Sequence, residues 1–284
     1  MTGQRAVVEL QEVGKVFGDG DGAITALQSI DLTITAGEFV SLIGPSGCGK
    51  STLLRLIGDL IPASSGRILV NGKPASEARR GREYGIVFQA PVLMEWRTVE
   101  RNVELPLEIM GLARDERRRR ARSMLDLVEL GEFGTKHPWQ LSGGMQQRVA
   151  IARALAIYPA LLLMDEPFGA LDEMTRERLN LELMDIWRGT GTTIVFVTHS
   201  IPEAVFLSSR VAVMSARPGQ IARVIEIDLP QPRTARTREE TRYFQLVTAV
   251  REALRQGGAD AALDASEGLE GDGGAERIRS EGYA

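Results

Sequence analysis

An α/β fold, with parallel strands that present loops at one sheet edge, is predicted by three features of the chain. The apolar run Glu38 to Ile43 leads directly into Gly44-Pro45-Ser46-Gly47-Cys48-Gly49-Lys50-Ser51-Thr52, and an apolar helical pattern, Thr52 to Ile57, follows. Two further apolar runs, Ala160 to Met164 and Thr193 to Val197, end in Asp165-Glu166-Pro167 and in Thr198-His199-Ser200. Continuous apolar runs of this length suit strands covered on both faces. Helical patterns at Arg176 to Arg188 and Pro202 to Leu207 alternate with strands at Thr193 to Val197 and Val211 to Met214, the order of a parallel sheet.

Each of these elements has a chemical reading. Residues 44–52 fit G-x-x-x-x-G-K-[ST], with the strand before it and the helix after it. Its glycines let the backbone curl so that successive N–H groups face phosphate oxygens, and the helix opening at Lys50 adds its positive end. Lys50 would reach the β- and γ-phosphates of ATP, and Ser51 would offer its hydroxyl to Mg²⁺. At the C-terminal edge of a second parallel strand, Asp165 would hold that Mg²⁺ through water, and Glu166 would take a proton from the attacking water.

Between these strands lies Leu141-Ser142-Gly143-Gly144-Met145-Gln146-Gln147-Arg148, followed by the helical stretch Val149 to Ala156. Ser142 is a good N-cap, and the two glycines leave backbone N–H groups bare, so a second anion site is expected at a second helix N-terminus. Two arrangements satisfy two such termini: one chain folds its own helix over its own loop, or two chains clamp two ATP molecules between them.

With these motifs in hand, the chain resembles the ATP-binding-cassette (ABC) ATPases over roughly residues 5–230. Six short motifs occur in the family's order: the phosphate loop 44–52, Gln89, the signature 141–147, the acidic motif 161–166, Ala170-Leu171-Asp172, and His199. The resemblance implies a P-loop NTPase nucleotide-binding domain of α/β class, with an antiparallel β subdomain and a helical signature subdomain. It also implies that Gln89 senses Mg²⁺ and the membrane partner, that Asp172 couples two sites across a dimer, and that His199 holds the γ-phosphate and the water. Ser142, Gly143, Gly144 and Gln146 would contact nucleotide. Phe17 stands where the family carries an aromatic that stacks on adenine; its other reading is an ordinary core residue of an antiparallel sheet. His137 is assigned no chemistry.

Composition bounds the remaining possibilities. The chain has 284 residues, 43% hydrophobic and 25% charged, and each motif occurs once, so one ATPase domain is expected over residues 1–256. Residues 257–284, rich in Gly, Ala and acids, carry a net charge of −5 and are expected to be a disordered tail. Against a formal total of −4, this leaves residues 1–256 at +1, which argues against a strong nucleic-acid footprint, since that would show a basic face. The run Arg117 to Arg120 with Arg122 reads as a solvated helix face in preference to a docking patch. No apolar run approaches the roughly 18–20 residues that cross a bilayer, the N-terminus has no signal-peptide core, and one cysteine allows no internal disulfide. The expectation is a cytoplasmic protein, peripheral on the inner face of the cell membrane. That lone thiol, Cys48, has two readings: a small core residue, or a thiolate favoured by the adjacent helix N-terminus.

Residues 5–40 and 66–72 should form the antiparallel β portion, and residues about 92–157 the helical subdomain, punctuated at Pro106 and Gly111. Pro230 and Pro232 should end the regular core before a short helix, Glu239 to Arg255. The stretch from Lys50 to Ser142 shows no sustained heptads, which argues against chromosome-maintenance ATPases, and a single cassette argues against translation-type ATPases. Within the family, the chain resembles the nitrate, sulfonate and taurine import group, including members that take up pyrimidine-type vitamin precursors. It rests on Leu162 to Asp172, Thr198 to Val205, and Met94-Glu95-Trp96-Arg97-Thr98-Val99, where Glu95 replaces the group's usual proline. This implies a homodimer of ATPase subunits, integral-membrane permease subunits and an extracytoplasmic solute-binding protein. The alternatives are the ATPase of a lipid or small-molecule exporter with a separate permease, or a non-transport ABC ATPase.

Overall fold

The computed structural model describes residues 5–267. The chain opens on β1 (Ala6–Phe17) and β2 (Ile24–Thr35), an antiparallel pair in register from Ala6 opposite Thr35 to Phe17 opposite Ile24, with several bulges. After β3 (Phe39–Ile43) and helix α1 (Lys50–Ile57), β4 (Ser65–Val70) returns beside β1, and β5 (Lys73–Pro74) closes a four-stranded antiparallel sheet. One face of that sheet buries Val8, Leu10, Val13, Ile30 and Ile34 against Leu53, Leu54 and Ile57 of α1. The expected antiparallel portion is therefore present, and β3, at its expected boundary, belongs to the other sheet.

That second sheet has the order β10-β9-β3-β8-β7-β6. Helix α2 (Ala75–Arg80) precedes β6 (Tyr84–Val87). The helical subdomain follows, with α3 (Val99–Ile109), α4 (Arg114–Leu127) and α5 (Gly143–Leu155). Next come β7 (Leu161–Asp165), α6 (Glu173–Thr190), β8 (Thr193–Val197), α7 (Ile201–Leu207), β9 (Arg210–Met214) and β10 (Ile221–Glu226). Every residue of β3, β7 and β8 is buried, as their unbroken apolar sequences require. All neighbours are parallel except β10, which pairs antiparallel with β9. Register fixes what meets at the edge: Val197 of β8 stands opposite Leu42 of β3 on one side and Asp165 of β7 on the other. The loops after all three strands thus emerge side by side.

Two expectations need correction, and one strand is additional. Pro106 does not interrupt the helical subdomain; it lies inside α3. The cost of its missing N–H falls on the carbonyl one turn back. One strand that the sequence reading did not place, β10, lies before Pro230. Its six residues, four of them exposed, form an edge strand whose apolar signal is weak. Finally, the C-terminal helix α8 spans Thr241–Glu267, after a 3₁₀ segment Ala235–Glu239, and so starts later and runs further than expected. Tyr243, Leu246, Val247, Val250 and Ala253 of α8 join the core. The remainder of the expected tail, 268–284, lies outside the described residues. Among the described residues, no helix is long and apolar enough to cross a membrane.

Candidate nucleotide site

The loop after β3 has the backbone its glycines permit. Gly47 and Gly49 have φ values of 78° and 99°, in the left-handed region, and Gly49 is the N-cap of α1. A Cβ on Gly44 would stand 2.6 Å from Cys48 Sγ and 2.9 Å from the Met214 carbonyl, so that position admits no side chain. Pro45, Ser46 and Gly47 form the exposed rim of the loop, and Ser51 and Thr52 are half-buried in the first turn of α1. Lys50, 4% exposed, folds back so that Nζ donates to the Gly44 carbonyl at 2.9 Å and the Pro45 carbonyl at 3.0 Å. The first turn of α1 carries no acidic residue to oppose an anion.

Across the sheet edge, Ser51 Oγ donates to Asp165 Oδ1 at 2.7 Å. A hydroxyl and a carboxylate meet there beside the phosphate loop, an oxygen donor set of the kind Mg²⁺ takes. Glu166, the next residue, has φ 48°, a strained value for a residue with a Cβ. Its N–H is tied to the Val197 carbonyl at 3.0 Å, and its Oε1 lies 2.7 Å from His199 Nε2. The two predicted hydrolytic side chains, from separate strands, are therefore in direct contact. Gln89 lies nearby: a Cβ on Gly169 would be 3.4 Å from Gln89 Nε2 and 3.7 Å from Glu166 Cβ. A cavity of about 260 Å³ beside them is lined by Glu166, His199, Arg176, Thr198 and Glu203, among others. Glu203 is 6% exposed, accepts the Thr198 hydroxyl, and is raised above the usual carboxylate range by burial.

The signature forms a distinct unit. Ser142 caps α5, its Oγ accepting the Met145 N–H at 3.3 Å. Gly144 is pressed toward α6, where an added Cβ would stand 3.1 Å from Thr175 Cγ2, while Gly143 faces Leu171. Asp172 caps α6, accepting the Thr175 N–H at 3.0 Å, which holds its carboxyl below the usual range. Gln146 spends its amide on the Pro138 and Leu141 carbonyls of its own chain, at 3.0 and 3.4 Å. Among the described residues, no signature side chain hydrogen-bonds to the phosphate loop.

Two readings are decided by burial. Phe17 is 42% exposed at the end of β1, with Lys15 Nζ 4.9 Å from its ring centroid, so it is not a core residue. Cys48 is fully buried in the apolar cluster under the antiparallel sheet. Burial raises its pKa and outweighs the nearby Lys50, so the thiolate reading fails. Sequence reasoning missed Gln147, which is 2% exposed and donates to the Phe88 carbonyl at 3.2 Å. It also missed Glu203, although Ser200 and Glu203 have the spacing of a capping box and Ser200 does cap α7.

This geometry, a phosphate cradle with an acidic strand end, a histidine and a capped signature helix, defines a nucleotide-binding cassette. A family model described as ABC transporter matches residues 27–169. The nitrate import ATP-binding protein NrtD of Synechocystis is 44% identical over 254 residues, 87% of this chain and 95% of that protein. The taurine import ATP-binding protein TauB of Burkholderia pseudomallei is 46% identical over 211 residues, 74% and 80% of the two chains. A solved dimeric ATP-binding cassette in a post-hydrolysis state with ADP and phosphate superposes with a TM-score of 0.68. It is 38% identical and covers 78% of this chain and 98% of its own. The chain belongs to the ABC transporter family and has the fold of its ATP-binding cassettes.

Proposed function

We propose that this chain is the ATP-hydrolysing subunit of a membrane importer for small nitrogen- or sulfur-containing solutes, such as nitrate, sulfonates, taurine or a vitamin precursor. One observation carries the hydrolytic part: the Ser51–Asp165 and Glu166–His199 pairs, each at 2.7 Å, sit on adjoining strand ends beside the phosphate loop. Lys50 and the backbone N–H groups of 44–52 would hold the phosphates, and Ser51 and Asp165 would hold Mg²⁺, which supplies charge neutralisation when bound. Glu166 takes the proton of the attacking water, and the imidazole of His199 donates toward the charge that develops on the phosphoryl group. Phe17 offers its exposed ring to adenine. Ser142, Gly143 and Gly144 face the nucleotide of a second copy of this chain, which accounts for their lack of bonds to their own phosphate loop.

The relatives named for nitrate and taurine import support the transport part. So does an unpartnered surface around Trp96, which is 76% exposed beside a polar groove of about 770 Å³. Permease subunits would dock there, on the inner face of the cell membrane, and an extracytoplasmic binding protein would deliver the solute. Reconstituting the chain with a permease and binding protein in vesicles, and measuring ATP-dependent uptake of nitrate, taurine and sulfonates, tests the whole reading. ATP turnover without uptake of any such solute refutes the cargo class, and no Mg²⁺-dependent turnover refutes the hydrolase.

A further inference from the structure

Helix α7 begins two residues after His199 and contains only seven residues, so the imidazole is carried at the end of a short rod. The segment after β10 grips that rod at both ends. At its C-terminal end, Arg233 Nη1 lies 3.3, 2.7 and 2.8 Å from the carbonyls of Val205, Phe206 and Ser208. These are acceptors that a helix end leaves without partners, and a cation there also complements the helix dipole. Nη2 reaches the Ile227 carbonyl at 3.5 Å. At the first turn, the Tyr243 hydroxyl donates to the Pro202 carbonyl at 3.1 Å. Between them, Arg238 pairs with Glu177 of α6 and lies 4.3 Å from the Phe206 ring centroid.

Arg233 is an unusual choice for a cap. Only 5% of it is exposed, and among the described residues no carboxylate pairs with it. Burial lowers its pKa to about 10. Burying a cation against carbonyls alone is expensive, and a glycine or asparagine would end a helix without that cost. What the guanidinium adds is rigidity: its fixed fork holds three carbonyls in one geometry and ties them to the C-terminal segment.

We propose that Arg233 and Tyr243 are positioning residues for hydrolysis, holding both ends of α7 so that His199 stays in contact with Glu166. The C-terminal segment thereby sets the rate of the site without touching nucleotide. This inference rests on the reading of Glu166 and His199 as the hydrolytic pair.

The test measures steady-state ATP turnover of the full chain carrying Tyr243→Phe, Arg233→Met or Arg233→Lys, each alone and combined with His199→Ala. Loss of one neutral hydrogen bond should lower kcat of Tyr243→Phe by about 3- to 10-fold, with KM for ATP held within about twofold. Arg233→Met should lose more, and Arg233→Lys should recover part of it. In the His199→Ala background, none should lower the rate further, because the effect passes through that side chain. The chain has only two histidines, so imidazole NMR gives a second readout: the His199 signals should shift in each variant while those of His137 stay. If Arg233→Met does not fold, Tyr243→Phe, which removes one hydroxyl, decides. If His199→Ala turnover is undetectable, the imidazole signals decide. An unchanged kcat, an equal loss in the His199→Ala background, or unmoved His199 signals overturns the proposal. Wild-type turnover by His199→Ala would instead overturn the underlying reading of the pair.

Discussion

Replacing Glu166 by glutamine changes one oxygen to an amide and leaves the packing as it was. The side chain has the same length, so its amide still reaches the His199 Nε2 that lies 2.7 Å from Oε1, and the N–H bond to the Val197 carbonyl at 3.0 Å is untouched. Both residues have a Cβ, so the strain of φ 48° is unchanged and melting temperature should stay within a degree or two. On the proposed reading, the proton acceptor is gone. Loss of a general base costs about 10²- to 10⁴-fold, which corresponds to roughly 2.7–5.4 kcal/mol of transition-state stabilisation. ATP affinity should not fall, because neither the loop 44–52 nor the Ser51–Asp165 pair is altered, and a closed ATP-bound dimer should accumulate on size exclusion. Glu166→Asp sharpens the argument. Removing one methylene withdraws the carboxylate by about 1.5 Å and takes it out of bonding range of His199, so the charge remains and the geometry does not. Its turnover should also fall by at least tenfold. A Glu166→Gln enzyme with turnover within threefold of wild type would refute the assignment of the base.

Other expectations follow from the same structure. Ser142→Arg should abolish turnover while ATP binding by monomers survives, and mixing it with Lys50→Ala chains should restore activity through one intact composite site; no recovery counts against contacts between chains. Cys48, neutral and buried, should resist alkylation in the native apoprotein at pH 7–8, with mass spectrometry showing modification only after unfolding. Its raised pKa means that its contribution to stability is fully present below the ordinary thiol value of 9.0 and is lost only above it. Glu203 behaves likewise at lower pH: its native pKa lies above the usual 4.5, so wild type loses stability as pH rises from there through the raised value. The melting temperature of Glu203→Gln relative to wild type should therefore increase with pH across that window, and a constant difference from pH 4 to 8 would show that the carboxyl is not held in its neutral form.

The parts legible in the sequence were those dictated by covalent geometry and burial. Glycines at 47 and 49, apolar runs at 39–43, 161–164 and 193–197, and an acid pair at a strand end each have one local solution, and parallel register then brings them to one edge. Gln147, Glu203 and Arg233 were not legible. Gln147 and Arg233 act through carbonyls of distant segments, with Gln147 standing 59 positions from Phe88, and Glu203 acts through the hydroxyl of Thr198 at the end of the preceding strand; no periodicity encodes such bonds. Cys48 failed for a related reason. A helix N-terminus and the nearby Lys50 favour a thiolate only where burial does not cost more, and the decision belonged to the packing of the antiparallel sheet over α1.

On the reading proposed above, signals between a docked permease and the nucleotide pass through the segment after Gln89, and that segment is held from both sides. From α5, Gln147 donates to the Phe88 carbonyl, and Arg153 donates to the Pro91 and Val92 carbonyls, both at 2.8 Å. From α3, the fully buried Asn102 accepts the Met94 N–H at 2.7 Å and donates to the carbonyls of Met94, Arg97 and Thr98 at 3.0–3.2 Å. The loop bearing Trp96 is thus welded to the helix whose N-terminus is the signature, and on the reading proposed above a permease that moves Trp96 moves Ser142 with it. Asn102→Ala cuts one of these ties. Several carbonyls lose their donor at once, and at about 1 kcal/mol net for each hydrogen bond the loop should loosen by roughly 2–4 kcal/mol. Basal ATP turnover, which needs neither Trp96 nor the permease, should remain within twofold, whereas ATP-driven uptake and its stimulation by the permease should drop at least tenfold. Equal losses in basal turnover and uptake would place Asn102 in the fold of the site, and undiminished uptake would show that the coupling runs elsewhere.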